Sequence, residues 1–198
     1  VGFGNLNSKE IGFGINTPVV KDKLFFRANA NITDRDGFVR NLFNGKDLQN
    51  REALDANFRL KYYTNERLSM SLLYNLQRRE SDAYAFALAS PPNSTFQDIL
   101  ETAPFEVNFN EDVFRNVLTQ NVAFNLKYDF DGFSLNSITS YQKTDQSRLD
   151  EFDYTVFDIQ SAISTFDLEN ITQEIRLASL GEKNLKWTTG VCLYRTDR

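Results

Sequence analysis

Along most of the chain apolar and polar residues alternate with a period of two, and the charges gather on one of the two faces so defined. At 24–33, Leu24, Phe26, Ala28, Ala30 and Ile32 share one side, and Phe25, Arg27, Asn29, Asn31 and Thr33 share the other. Side chains two apart fall on one face only when the backbone is extended. The same split returns at 54–63 and 121–128, and the pattern predicts strands over 9–16, 24–34, 54–63, 68–79, 117–128, 133–143, 170–179 and 185–196. Short turns at Asp22-Lys23, Thr64-Asn65-Glu66-Arg67, Asp129-Phe130-Asp131-Gly132 and 181–184 alternate without exception with long loops at 35–53, 80–116 and 144–166. Strands of about ten residues joined in this way describe up-and-down hairpins with all the short turns at one end.

One face of these strands carries Phe58, Leu60, Tyr62, Leu72, Tyr74, Phe124, Leu126, Tyr128, Phe133, Leu135, Tyr141, Ile175, Leu177, Trp187, Val191 and Leu193, with no charge among them. The opposite face carries Arg27, Asp55, Arg59, Lys61, Lys127, Glu174, Arg176 and Lys186. Tyr62, Tyr128, Phe133 and Trp187 fall beside the short turns, where an interfacial aromatic girdle belongs. The expected fold is all-β: an antiparallel up-and-down transmembrane β-barrel, present as a partial wall of about eight strands with short periplasmic turns and long extracellular loops. A soluble β-sandwich is the alternative, since it too alternates polar and apolar residues.

Composition narrows the function. The chain has 198 residues and is 41% hydrophobic, yet its mean hydropathy is −0.45 and no run approaches the roughly 20 apolar residues of a spanning helix. Twenty-two basic and 27 acidic residues leave a net charge of −5 with no basic stripe, which argues against nucleic acid as a partner. Histidine is absent, so triads and metal sites built on imidazole are excluded. The single cysteine, Cys192, can form neither an internal disulfide nor a thiolate cluster. The chain opens at Val1-Gly2-Phe3-Gly4 without an initiator Met or a leader, so either a signal was removed or this is an internal piece.

Four stretches carry a resemblance. They are Asn16-Thr17-Pro18 with Asp22-Lys23-Leu24-Phe25-Phe26-Arg27, Asp36-Gly37-Phe38 with Asn41, Asn136-Ser137-Ile138-Thr139-Ser140-Tyr141, and Thr172-Gln173-Glu174-Ile175-Arg176-Leu177-Ala178-Ser179. Together they resemble the β-barrel region of TonB-dependent outer-membrane receptors, the last two being the most specific. The resemblance implies a bacterial outer-membrane protein whose full barrel has about 22 strands and a plugged lumen. Its function would be uptake of an iron–siderophore complex or a similarly large, scarce nutrient, energised through TonB. It implies as partners the lipid bilayer and lipopolysaccharide, the receptor's own plug, the TonB complex acting on that plug, and a siderophore-like ligand. Neither a plug nor a TonB box is visible, and Tyr194-Arg195-Thr196-Asp197-Arg198 lacks a terminal aromatic, so the chain is expected to be an early or middle part of the barrel. A passive or adhesive outer-membrane barrel is a second reading.

Transport of this kind requires no catalytic residue, cofactor or metal site, and none is assigned. Ligand capture is expected of the long loops, through Tyr84, Phe86, Phe96, Phe105, Phe109, Phe114, Phe152, Tyr154 and Phe157, whose faces suit catecholate or macrocyclic ligands. Packing of the loops on one another is the other use of these rings. Asp150 and Asp153 are expected to join them in ligand capture, within an acidic stretch of Asp150, Glu151, Asp153 and Asp158 that suits a cationic ligand or a calcium ion but lacks calcium-loop spacing, a solvated loop being the other use of it. Arg27, Arg59, Lys61, Lys127, Glu174 and Arg176 are expected to face the lumen and the plug.

Overall fold

A computed structural model describes residues 1–82, 103–181 and 185–198. Its strands are β1 (Gly2–Gly4), β2 (Ser8–Val20), β3 (Leu24–Arg35), β4 (Val39–Asn41), β5 (Asp47–Leu48), β6 (Arg51–Tyr63), β7 (Leu68–Ser81), β8 (Glu106–Val107), β9 (Phe114–Asp129), β10 (Phe133–Glu151), β11 (Ser161–Ser179) and β12 (Thr188–Asp197). Nine of them form one antiparallel sheet in the order β1-β2-β3-β6-β7-β9-β10-β11-β12, and three very short ones form a second sheet, β5-β4-β8. The large sheet is open, with β1 and β12 at its edges.

The register confirms the two faces residue by residue. One row runs Thr17, Phe26, Leu60, Leu72, Phe124, Thr139, Gln173, Leu193 across β2 to β12, and the row beside it towards the loops runs Ile15, Ala28, Phe58, Tyr74, Val122, Tyr141, Ile171, Arg195. Among the described residues no second layer covers this apolar face: Phe58, Leu60, Leu72, Phe124 and Leu193 are all exposed. A sandwich would bury them. Polar residues within the belt find partners there: the Thr139 hydroxyl donates to Gln173 Oε1 at 2.5 Å, Gln173 Nε2 donates to Ser137 Oγ at 3.0 Å, and the Tyr74 hydroxyl donates to Gln120 Oε1 at 3.0 Å. Mutual bonding is what makes polar groups tolerable on an apolar surface.

Towards the loop end the apolar belt gives way to charge, and the boundary descends steadily across the sheet. On β3 it lies between Ile32 and Asp34, on β7 between Leu76 and Arg78, on β10 between Tyr141 and Lys143, and on β12 between Leu193 and Arg195. In register terms Arg195 sits three rows nearer the turns than Asp34. With about 3.4 Å per residue along a strand and about 4.8 Å between strands, that descent corresponds to strands tilted by about 35° to the belt. A flat polarity boundary crossed by tilted strands is the geometry of a barrel wall in a bilayer.

The polar face is graded as well. Asn29, Asn57, Asn75, Asn121, Gln142 and Asn170 form a single row of uncharged amides across six neighbouring strands. At the turn end the aromatics gather as expected: Tyr128 and Phe133 each lie 4.5 Å from Phe130 between ring centroids, and Trp187 lies 6.4 Å from Phe133.

Four expectations need correction. The loop placed at 144–166 is mostly strand, because β10 and β11 stay paired from Phe133↔Ser179 to Glu151↔Ser161. Over 144–148 both faces of β10 are polar, and on β11 Phe166 and Leu168 fall on the polar face, so the alternation that marked the strands fades although the ladder continues. Pro18 does not end β2; it pairs with Phe25 just before a register shift, in a stretch of β2 that β1 does not reach, so that this part of the strand is an edge, where proline is tolerated. β1 adds a hairpin whose short turn, 5–7, lies at the loop end, an exception to the alternation of long and short connections. Finally, the loops contain a folded cap: β4 pairs antiparallel with β5 and parallel with β8 around a core of Val39, Leu48, Val107, Phe109 and Val113. Gly37 admits this turn, since a Cβ there would stand 2.2 Å from the Asp47 carbonyl oxygen.

Candidate functional site

The residues expected to face the lumen share the polar face. Arg27 is directly opposite Arg59, and Lys127 and Arg176 flank Asn136 in one row nearer the turns. These charges are largely engaged locally: Lys127 Nζ lies 3.0 Å from Asp129, Arg176 pairs with Glu174, and Lys61 sits 4.7 Å above the Tyr63 ring. The small side chains of Ser69, Ser71 and Asn136 leave a hollow of about 380 Å³ between them.

The loop aromatics divide into two groups. Tyr84, Phe86 and Phe96 lie outside the described residues. Phe109 is 1% exposed in the core of the cap, with Asn41 bonded to it on both sides: Asn41 Nδ2 donates to the Phe109 carbonyl at 2.8 Å, and the Phe109 N–H donates to Asn41 Oδ1 at 3.0 Å. Tyr154 packs against the same core. These two rings hold the cap together, and Phe109 offers no face to a ligand. Phe114 belongs to the apolar face of β9 by register. Phe105, Phe152 and Phe157 remain exposed. Phe105 (φ 67°) and Tyr154 (φ 58°) have left-handed backbones, which is uncommon for large residues and needs a well-determined surround.

The acidic stretch organises its own loop. The Asp153 carboxylate accepts from the Thr155 hydroxyl at 2.6 Å, the Thr155 N–H at 3.0 Å and the Gln160 N–H at 2.9 Å. Asp150 lies 2.9 Å from Arg148 Nε. Glu151 is buried, and the Asn110 amide, in the orientation that satisfies its neighbours, donates to it at 2.9 Å. Burial, then the hydrogen bond and charge of Asp153, push the Glu151 carboxyl from 4.5 up to about 7. Burial would raise Asp153 too, but the bonds from Thr155 and Gln160 bring it down to about 2.

A group with a raised folded-state pKa holds its proton more tightly when folded. The stability tied to protonated Glu151 is therefore complete below about pH 4.5 and is lost as pH rises through about 7. Asp153 acts in the opposite sense, its contribution disappearing only as pH falls towards about 2. Amide exchange over 152–160, corrected for intrinsic rates, is expected to accelerate between about pH 5 and pH 8, and Glu151→Gln to flatten that rise. An equal rise in the variant would show that Glu151 is not its source.

Register brings together residues that the sequence leaves scattered. At the loop end of the polar face Arg35 is directly opposite Arg51, and Arg115 directly opposite Arg148. Ser81 lies beside Arg115, between the two pairs. Arg79, one row nearer the turns, reaches Asp55 at 2.8 Å. Arg35, Arg51, Arg79 and Arg115 line a cavity of about 440 Å³ with Asp82 at its edge. Burial raises the Asp82 carboxyl above its usual range, with Lys46 opposing. Glu52 and Glu80 also border the cavity, but they are directly opposite each other in the row of the apolar face that holds Asp34.

No family model matches the chain. Among solved structures it is similar to the ferric yersiniabactin uptake receptor FyuA from Yersinia pestis, with a TM-score of 0.77 and 18% identity over 97% of this chain and 29% of that one. It is likewise similar to the siderophore receptor PiuA from Acinetobacter baumannii, with a TM-score of 0.75 and 10% identity over 98% of this chain and 29% of that one. The open form of the ferric-catecholate import receptor Fiu from E. coli K12 gives a TM-score of 0.71 at 12% identity, over 98% and 33% respectively. The chain thus spans about a third or less of the receptors it matches. At these identities the likeness establishes the fold: an antiparallel up-and-down wall of a transmembrane β-barrel.

Proposed function

We propose that the chain forms part of the wall of a TonB-dependent receptor in the bacterial outer membrane, taking up an iron–siderophore complex or a comparable large nutrient. The observation that carries this reading is the superposition of nearly the whole chain on siderophore receptors, supported by an apolar belt outside, a polar face inside and a folded cap at the loop end. The cap and the long loops would capture the ligand, and the polar face would contact a plug that the TonB complex pulls on. The belt would meet the bilayer and lipopolysaccharide. Such a cycle makes and breaks no covalent bond, so the chain's residues supply affinity and a path and no catalytic group.

Deleting the gene is expected to slow growth on iron-limited medium and to abolish uptake of radioactive iron presented as a siderophore complex, with restoration from a plasmid. Uptake in the parent strain should stop when a protonophore collapses the inner-membrane gradient. Unchanged iron uptake in the deletion strain would remove the iron assignment, and uptake that survives the protonophore would point to a passive barrel.

A further inference from the structure

We infer that the arginine row at the loop end of the inner face is the barrel's anion-recognition site, and that the ligand is a polyanionic chelate presenting carboxylate oxygens. The inference rests on the uptake reading and specifies the chemistry of its ligand. Its ground is a juxtaposition that folding alone does not favour. Like charges directly opposite each other in a ladder are destabilising, yet Arg35 is paired with Arg51 and Arg115 with Arg148. Ser81, beside Arg115, adds little bulk and leaves the space between the pairs open.

Compensation within the row is incomplete. Asp150 answers Arg148 and Asp55 answers Arg79, but among the described residues no carboxylate lies within ion-pair distance of Arg35 or Arg51. Arg35 is positioned rather than neutralised: its NH2 group donates to the Gln49 carbonyl at 2.6 Å, and its guanidinium stands 5.4 Å from the Phe38 ring centroid. Its Nε is buried and has no hydrogen-bond partner among the described residues. A guanidinium fixed by one edge and a ring presents its remaining N–H groups as a fork, the geometry that matches a carboxylate bidentately. The cavity of about 440 Å³ that these arginines line lies in the size range of small-molecule sites. Two rows nearer the turns than Arg79 the polar face becomes the uncharged ladder of Asn57, Asn75 and Asn121, which separates the cluster at the mouth from the Arg27–Arg59 pair deeper on the same face.

The test measures equilibrium binding to the protein expressed from its own gene and purified in detergent, with three probes: ferric citrate, iron-free citrate, and ferrioxamine, a cationic hydroxamate chelate. Ferric citrate should bind with an affinity that falls with salt, and ferrioxamine should bind far more weakly. Arg35→Gln with Arg51→Gln should weaken ferric citrate by about tenfold or more, and Arg51→Lys, which keeps the charge and loses the fork, by a smaller factor. Outer-membrane abundance and protease resistance of each variant report folding, and Arg51→Lys serves if the double variant does not assemble. Ferrioxamine binding as well as ferric citrate, or ferric citrate affinity unmoved in the folded variants, would overturn the inference and leave the uptake reading standing. Arginine-dependent binding of citrate with no preference for the iron complex would overturn the assignment of a chelate as ligand and show a site for free carboxylates. Binding of none of the three probes would overturn the inference, the uptake reading being decided by the deletion strain.

Discussion

Phe124→Arg is expected to destabilise the membrane-inserted protein by about 2–4 kcal/mol, the cost of a cation near the midplane of a barrel's lipid face. Phe124 occupies the row of Phe26, Leu60 and Leu72, about midway between the turn-end aromatics and the polar boundary of β9. Its ring is 41% exposed because no protein layer faces it. In water that exposure would make the substitution nearly neutral, and in a bilayer it makes the position intolerant. Asn57→Arg supplies the contrast, since Asn57 lies in the amide row of the polar face and its replacement should cost about 0.5 kcal/mol or less. Denaturant unfolding in lipid vesicles measures both. Equal costs at the two positions would mean that the apolar face does not meet lipid.

The belt was legible because lipid imposes alternation on every strand that crosses it, and the charge-free side named from the sequence, from Phe58 to Leu193, proves to be one face by register. What lay beyond the belt was harder to read. Over 144–151 the apolar face of β10 holds Asp145 and Ser147 and the polar face Gln146 and Arg148, so the strand persists without a hydrophobic period to announce it. The cap strands β4, β5 and β8 have two or three residues each, too few for any period. Asn41 and Phe109, 68 positions apart, meet only once the loops are folded. The arginine row depended on register in the same way: Arg35, Arg51, Arg115 and Arg148 each read as an ordinary charge near a loop, and only the pairing of five strands, β3, β6, β7, β9 and β10, aligns them. One clue was present, since each lies on the polar parity of its strand and on the loop side of the belt.

The loop aromatics separate by what their removal does to the cap. Phe109→Ala empties the centre of the cluster formed by Val39, Leu48, Val107 and Val113 and should cost that unit about 3–5 kcal/mol, the range for deleting a buried phenyl ring. The cap has little else to draw on, because its ion pairs Arg40–Asp47 and Lys46–Asp112 are more than half exposed and contribute little. Its loss should therefore appear as protease cleavage and rapid amide exchange in 36–50 and 103–113, while the sheet, whose hydrogen bonds do not pass through Phe109, remains assembled. Asn41→Ala should reach a similar end by a polar route, since the Phe109 and Phe43 N–H groups and the Phe109 carbonyl lose their partner, each buried group left unpaired costing about 1–3 kcal/mol. Phe105→Ala removes a ring that is 67% exposed and contacts the cap only edge-on, at 6.0 Å from Phe38, so exchange in the same segments should hardly change. If ligand affinity falls in Phe105→Ala with the cap intact, Phe105 contacts the ligand. If it falls only in Phe109→Ala and Asn41→Ala, the cap matters as the frame that holds the loops over the arginine row.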